Sequence, residues 1–129
     1  MHTFSRNERL KSLVLIGRLF RGGNSYVAYP LRVVWMPLDE PTRDLISMGE
    51  ARAQLAISVP KRVFKTAGAR NLLKRRIREA YRLNKVPFYE KLAAANQHVA
   101  LMLVYIGKEE LPYSEIEQGV KKMIRKFPG

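Results

Sequence analysis

Residues 61–85 read KRVFKTAGARNLLKRRIREAYRLNK, ten Lys or Arg against a single acid, Glu79. This segment supplies +9 of the chain's formal +13, because the other 104 residues hold 14 basic and 10 acidic side chains. Stepping about 100° per residue along a helix begun near Ala69 separates two faces. Leu73, Ile77 and Ala80, with Tyr81 beside them, form an apolar face that needs a core to cover it. Arg70, Asn71, Lys74, Arg75, Arg78 and Arg82 fill the neighbouring arc, while Arg76 and Leu72 fall outside it. Solvated helix faces normally intersperse acids for i,i+4 pairs, and only Glu79 is available here. Such a stripe faces a polyanion, and nucleic acid fits it best. Lys61, Arg62 and Lys65 precede the helix and are placed to hold phosphates beside its N-terminus.

The flanks set the fold. Ala53–Val59 is rich in strand-forming residues and Pro60 ends it. Downstream, the helix is expected over about 68–84, Pro87 should interrupt it, and Phe88–Asn96 should form a further short helix. HVALMLVYI, residues 98–106, is a continuous apolar run of strand length and therefore a buried strand. Ser5 and Glu8 have capping-box spacing, and the apolar positions Leu10, Leu13 and Val14 follow, which predicts a helix over 6–20 stopped by Gly22-Gly23. Tyr26–Met36, broken by Pro30, reads as one strand or two short ones. Pro37–Arg52 reads as the long polar connection of a hairpin, with Asp39, Glu40, Asp44 and Glu50 at a solvated tip. Ser114 and Glu117 repeat the capping spacing before a stripe of Ile116, Val120, Met123, Ile124 and Phe127. The order is α-β-β(-β)-α-β-α with no repeat and no linker, an α+β two-layer sandwich in one domain, 1–129. The strand–helix–strand unit from 53 to 106 would by default cross over right-handed.

Several classes of function have no support. No stretch approaches 18 uncharged apolar residues, so no membrane span is expected, and the N-terminus MHTFSRNERLK lacks a signal-peptide core. There is no cysteine, hence no disulfide, thiol nucleophile or zinc finger, and the chain fits a reducing cytoplasm. His2 sits at an end expected to fray, and His98 at the start of a buried strand reads as structural. Neither clustered carboxylates nor HExxH, GxxxxGK[ST] or GxGxxG motifs occur, so neither a metal nor a nucleotide cradle is expected in the protein. Binding, not catalysis, is the expectation for the chain alone. An amphipathic membrane or calmodulin-binding helix would need a free apolar face, and Leu73 and Ile77 are needed in the core.

Leu55–Val63, then Ala69-Arg70-Asn71, then Lys74-Arg75-Arg76-Ile77-Arg78-Glu79-Ala80-Tyr81-Arg82 resemble the signature of the bacterial ribonuclease P protein component. Phe4, Glu8-Arg9-Leu10-Lys11-Ser12, Leu19-Phe20 and Gly23-Asn24-Ser25 also sit in that family's order, so the resemblance spans about residues 4–127. It implies an α-β-β-β-α-β-α fold like the second domain of ribosomal protein S5, with a left-handed βαβ crossover in place of the default hand. It implies a catalytic RNA subunit as partner, precursor tRNA as substrate and removal of the 5′ leader. The active site and its Mg²⁺ would belong to the RNA, and no obligate protein partner is evident.

On this reading Lys61, Arg62, Lys65, Arg70, Asn71, Lys74, Arg75, Arg78 and Arg82 contact RNA, mainly through its backbone. Arg9, Phe20 and Val34 line the path of the single-stranded leader. The sequence departs from the family pattern at four places. Leu72 stands where the motif has its second Arg, Ile16 and Val34 replace frequent aromatics, and Phe64 replaces a common Gly. The alternative is a ribosomal protein or other scaffold for structured RNA, which would leave tRNA processing untouched.

Overall fold

A computed structural model describes residues 3–128; His2, expected at a frayed end, lies outside them. A 3-10 turn at Arg6–Glu8 precedes α1 (Leu13–Gly22), β1 (Asn24–Ala28), β2 (Leu31–Pro37) and α2 (Glu40–Leu45). Then follow β3 (Ala53–Ser58), α3 (Ala67–Ala94), β4 (Val99–Tyr105) and α4 (Tyr113–Lys126). The four strands form one sheet in the order β1-β2-β4-β3. β4 runs antiparallel to β2 and parallel to β3, so α3 is the crossover that joins two neighbouring parallel strands.

The uninterrupted apolar run in β4 follows from its central place, because both of its faces are covered. Leu101, Leu103 and Tyr105 point with Leu31, Val33 and Trp35 toward α3 and α4. Ala100 and Met102 point with Val34 toward α1, where Leu15 and Leu19 cover them. The larger core lies between the sheet and the α3/α4 layer. There the Phe127 ring packs 4.7 Å from Trp35 and 4.9 Å from Phe88, centroid to centroid. Leu73, Ile77, Ala80 and Tyr81 are fully buried, as the apolar arc of α3 requires.

Four local expectations change. The first helix starts at Ser12, whose hydroxyl accepts from the Leu15 N–H at 3.2 Å, and not at Ser5. The Ser5–Glu8 capping box forms but closes only one turn, since the next residues turn extended: Leu10 N–H donates to the Leu55 carbonyl at 2.9 Å on the edge of β3. β2 and β3 do not form a hairpin, because β4 lies between them and their connection carries the short helix α2. α3 continues through Pro87, so there is no separate helix over 88–96. Proline removes one hydrogen bond and crowds the preceding turn. Pro87 and Leu83 both lie on the exposed side, where water can reach the freed carbonyl, while Tyr81, Phe88 and Leu92 hold the other side in the core. Finally, Ser114 sits inside α4, whose N-cap is Pro112, and the Glu117 carboxylate accepts instead from Asn84 Nδ2 at 3.0 Å.

Candidate nucleic-acid interface

The loop between β3 and α3 presents Lys61, Arg62 and Lys65, all exposed, around the start of the long helix. Its anchor is Phe64, whose ring enters the core edge-on to Tyr105 at 5.6 Å while the backbone turns on the Pro60 carbonyl. Thr66 then caps α3, accepting from the Ala69 N–H at 3.2 Å, and no acid occupies the first turn. The partial positive charge of the helix N-terminus adds to the three cations.

The stripe is sorted by what each side chain touches. Arg75 and Arg78 are exposed and make no hydrogen bond or ion pair among the described residues; Asn71 is likewise exposed. Lys74 is half-buried at the border of the apolar face. Arg70 Nη1 donates to the Phe64 carbonyl at 2.7 Å, so this guanidinium fixes the loop while its other N–H groups remain available. Arg82 grips Glu79 in a two-point pair of 2.9 and 2.7 Å, which draws the lone acid of the segment to one end of the stripe. The hydrogen bonds from Arg82 hold the Glu79 carboxyl below its ordinary range. Arg76, outside the arc, donates to the Leu111 carbonyl at 2.7 Å and ties down the loop before α4.

The residues expected at a leader path do not come together. Phe20 is 62% exposed on α1, so its ring is a free stacking surface and not a core residue. Val34 is 7% exposed beneath α1, and its Cγ1 lies so close to Gly23 that a Cβ there would sit 3.0 Å away. Val34 is therefore floor under the helix, not a contact surface. Arg9 leans over the Phe4 ring at 5.3 Å and lines a groove with Val14 and Arg18, on the flank of α1 away from Phe20.

One cation of the basic segment has a wholly different environment. Lys85 is 5% exposed and pairs with Glu8 at 2.6 Å; it also donates to the Thr3 carbonyl. The same carboxylate accepts from Tyr89 OH at 2.5 Å and the Ser5 N–H at 2.8 Å, and Tyr81 and Tyr89 hydroxyls are 3.1 Å apart. Burial pushes the Glu8 carboxyl up, but these hydrogen bonds and the Lys85 charge outweigh it and hold the group below its usual value. Burial raises both tyrosine hydroxyls, so each remains a donor. Farther along α3, Lys91 caps the end of α4, donating to the Phe127 carbonyl at 2.6 Å and that of Ile124 at 3.1 Å. The sequence carried one signal for the first of these: Lys85 stands four residues past Tyr81 on the buried side. Its partner, 77 positions away, left none.

No cluster of three or more His, Asp or Glu able to hold a metal ion occurs among the described residues. His98 is half-buried at the head of β4, where burial and the charges of Arg43 and Arg52 lower its affinity for a proton. No helix among the described residues is long and apolar enough to cross a membrane.

Residues 4–128 match the family model described as Ribonuclease P. The chain is 30% identical over 125 residues to the ribonuclease P protein component of Porphyromonas gingivalis in each of two strains, covering 97% of this chain and 86% of the relative. The solved RNase P protein of Staphylococcus aureus has the same fold, with a TM-score of 0.68 at 18% identity over 92% of this chain and 93% of that one. That of Thermotoga maritima gives 0.67 at 19% identity over 95% and 99%.

Proposed function

Since the chain belongs to the bacterial ribonuclease P protein family, we propose that it grips a catalytic RNA subunit with the stripe on α3 and guides the 5′ leader of precursor tRNA past Phe20. Membership makes it a component of ribonuclease P with a role in tRNA 5′ maturation. The holoenzyme is an endoribonuclease whose active site and Mg²⁺ reside in the RNA; the protein's side chains bind and position. The work is cytoplasmic, where precursor tRNA is made.

The supporting observation is the division of α3 within the matched span. Leu73, Ile77 and Ala80 are fully buried, while Arg75 and Arg78 stand in water without a partner among the described residues. Guanidinium groups so placed suit phosphate oxygens, which they meet bidentately. Lys61, Arg62, Lys65, Arg70, Asn71, Lys74 and Arg82 extend the same surface around the start of the helix and along it. Leu72, half-buried where the family motif has an Arg, leaves one contact to its neighbours. Phe20 supplies stacking, which is worth roughly 1–3 kcal/mol per base.

Reconstitution tests this reading. Rigorously RNA-free protein with precursor tRNA and Mg²⁺ should leave the leader intact. Addition of the cognate RNA should give the mature 5′ end at a lower RNA and metal requirement than the RNA needs alone. Cleavage by the RNA-free protein, or binding to ribosomal RNA with no effect on maturation, would overturn it.

A further inference from the structure

We propose that the groove between α1, α2 and the N-terminal strap of residues 6–12 is a separate binding surface for single-stranded RNA. It goes beyond the function proposed above, because it lies on the opposite flank of α1 from Phe20. With about 100° per residue, Val14 and Arg18 fall within about 40° of each other, Ile16 and Phe20 likewise, and the two pairs point to roughly opposite sides. Leu15 and Leu19 press the helix onto the sheet between them.

The groove has a volume of about 540 Å³. Arg6, Arg9, Lys11 and Arg18 supply four cations to its lining, and no carboxylate is among the described lining residues. Between the cations lie aliphatic side chains that the fold leaves in water: Val14 is 63% exposed and Leu45, at the end of α2, is 84% exposed. A surface that mixes guanidinium groups with exposed aliphatics suits a ligand with both phosphates and flat apolar faces. A single strand offers its bases in this way, whereas a duplex keeps them stacked inside. An acidic peptide would meet the cations but has no comparable flat face for Val14 and Leu45.

The strap is held in advance of any ligand. Glu8 is locked to Lys85 and Tyr89 beneath it, Leu10 is hydrogen-bonded to Leu55, and Gln54 Nε2 donates to the Asn7 carbonyl at 2.9 Å. Arg6, Arg9 and Lys11 therefore project from a backbone fixed on both sides. Ordering before binding removes an entropic penalty that a loose basic tail would have to meet. The Asp39 carboxyl accepts from the Thr42 backbone at 2.9 Å as the cap of α2 and is held low first by Thr42, then by Arg43 and Arg18.

The test uses the full chain and a single-stranded uridine oligomer of about eight nucleotides carrying 4-thiouridine, a length within the usual single-strand site size. After irradiation, crosslinked peptides are mapped. The inference predicts crosslinks on residues 14–18 and 42–47 in addition to any near Phe20 or α3. Leu45→Asp, at a position too exposed to matter for folding, should cut the groove crosslinks severalfold and spare the others. Lys11→Ala combined with Arg18→Ala should lower the salt slope of groove crosslinking by about 1.4, taking roughly 0.7 per phosphate contact for a single strand. Duplex RNA or a polyglutamate peptide should compete poorly at equal charge concentration. Crosslinks confined to Phe20 and α3 would overturn the proposal, as would groove crosslinks indifferent to both variants. Competition by polyglutamate equal to that of the single strand would assign the groove to an acidic protein instead.

Discussion

The exposed arc of α3 and the C-terminal end of the same helix put the same kind of residue to opposite uses. Before Leu83, Arg75 and Arg78 stand in water on the far side of a buried face. After it, Lys85 is buried against Glu8 and Lys91 closes the end of α4, so both cations hold the protein together. Surface charges contribute little to stability. A buried pair is different: it need not stabilise relative to an apolar substitute, yet losing one partner strands the other charge without water. A basic run read as one patch is thus two devices, one free to meet a polyanion and one already committed.

Removing a committed cation should have the largest effect. Lys85→Ala leaves Glu8 buried with only Tyr89 and the Ser5 N–H, and should cost about 3–5 kcal/mol in denaturant unfolding. A loss below about 1 kcal/mol would place Lys85 with the surface cations and erase the contrast. Phe20→Ala comes next and leaves stability alone. It should weaken holoenzyme binding of precursor tRNA about tenfold, at the low end of the range for stacking, and leaderless tRNA hardly at all. Equal losses on both substrates would detach Phe20 from the leader. The smallest effect is one of pH. Glu8 titrates below its ordinary value of 4.5, so its contribution is complete above that pH and is lost as pH falls through the lower folded value. The stability gap between the wild type and Glu8→Gln should therefore be widest near neutrality and narrow below pH 4.5. A gap constant down to the acid transition would show that the carboxylate is not held low.

Local periodicity made much of this legible. The apolar arc Leu73, Ile77, Ala80 and Tyr81 is the buried face, the run at residues 98–106 is the central strand, and Ile116 to Phe127 is the inner stripe of α4. Long-range pairing was not legible. β4 enters between β2 and β3 although a hairpin was the local expectation, because the period of a strand says which faces are covered and not which strands lie beside it. The Ser5–Glu8 box is real in sequence and in structure, yet the edge of β3 captures Arg9 and Leu10 and ends the turn. Pro87 breaks a helix in isolation but not one pinned by Phe88 and Leu92. For the site, charge and face located the stripe, while the burial of Val34 and the displacement of Arg9 from Phe20 depend on where α1 lies across the sheet.

The proposed division of cations on one helix between RNA and the fold is read out by the salt dependence of binding to the catalytic RNA. Arg75→Ala combined with Arg78→Ala should lower the slope of log affinity against log salt by about 1.4–1.8, at roughly 0.7–0.9 per contact, with stability changed by less than about 0.5 kcal/mol. Lys91→Met, which removes the same charge from the same helix, should lower stability and leave the slope where it was. Equal slopes for the two variants, or a fall for Lys91→Met alone, would contradict the division.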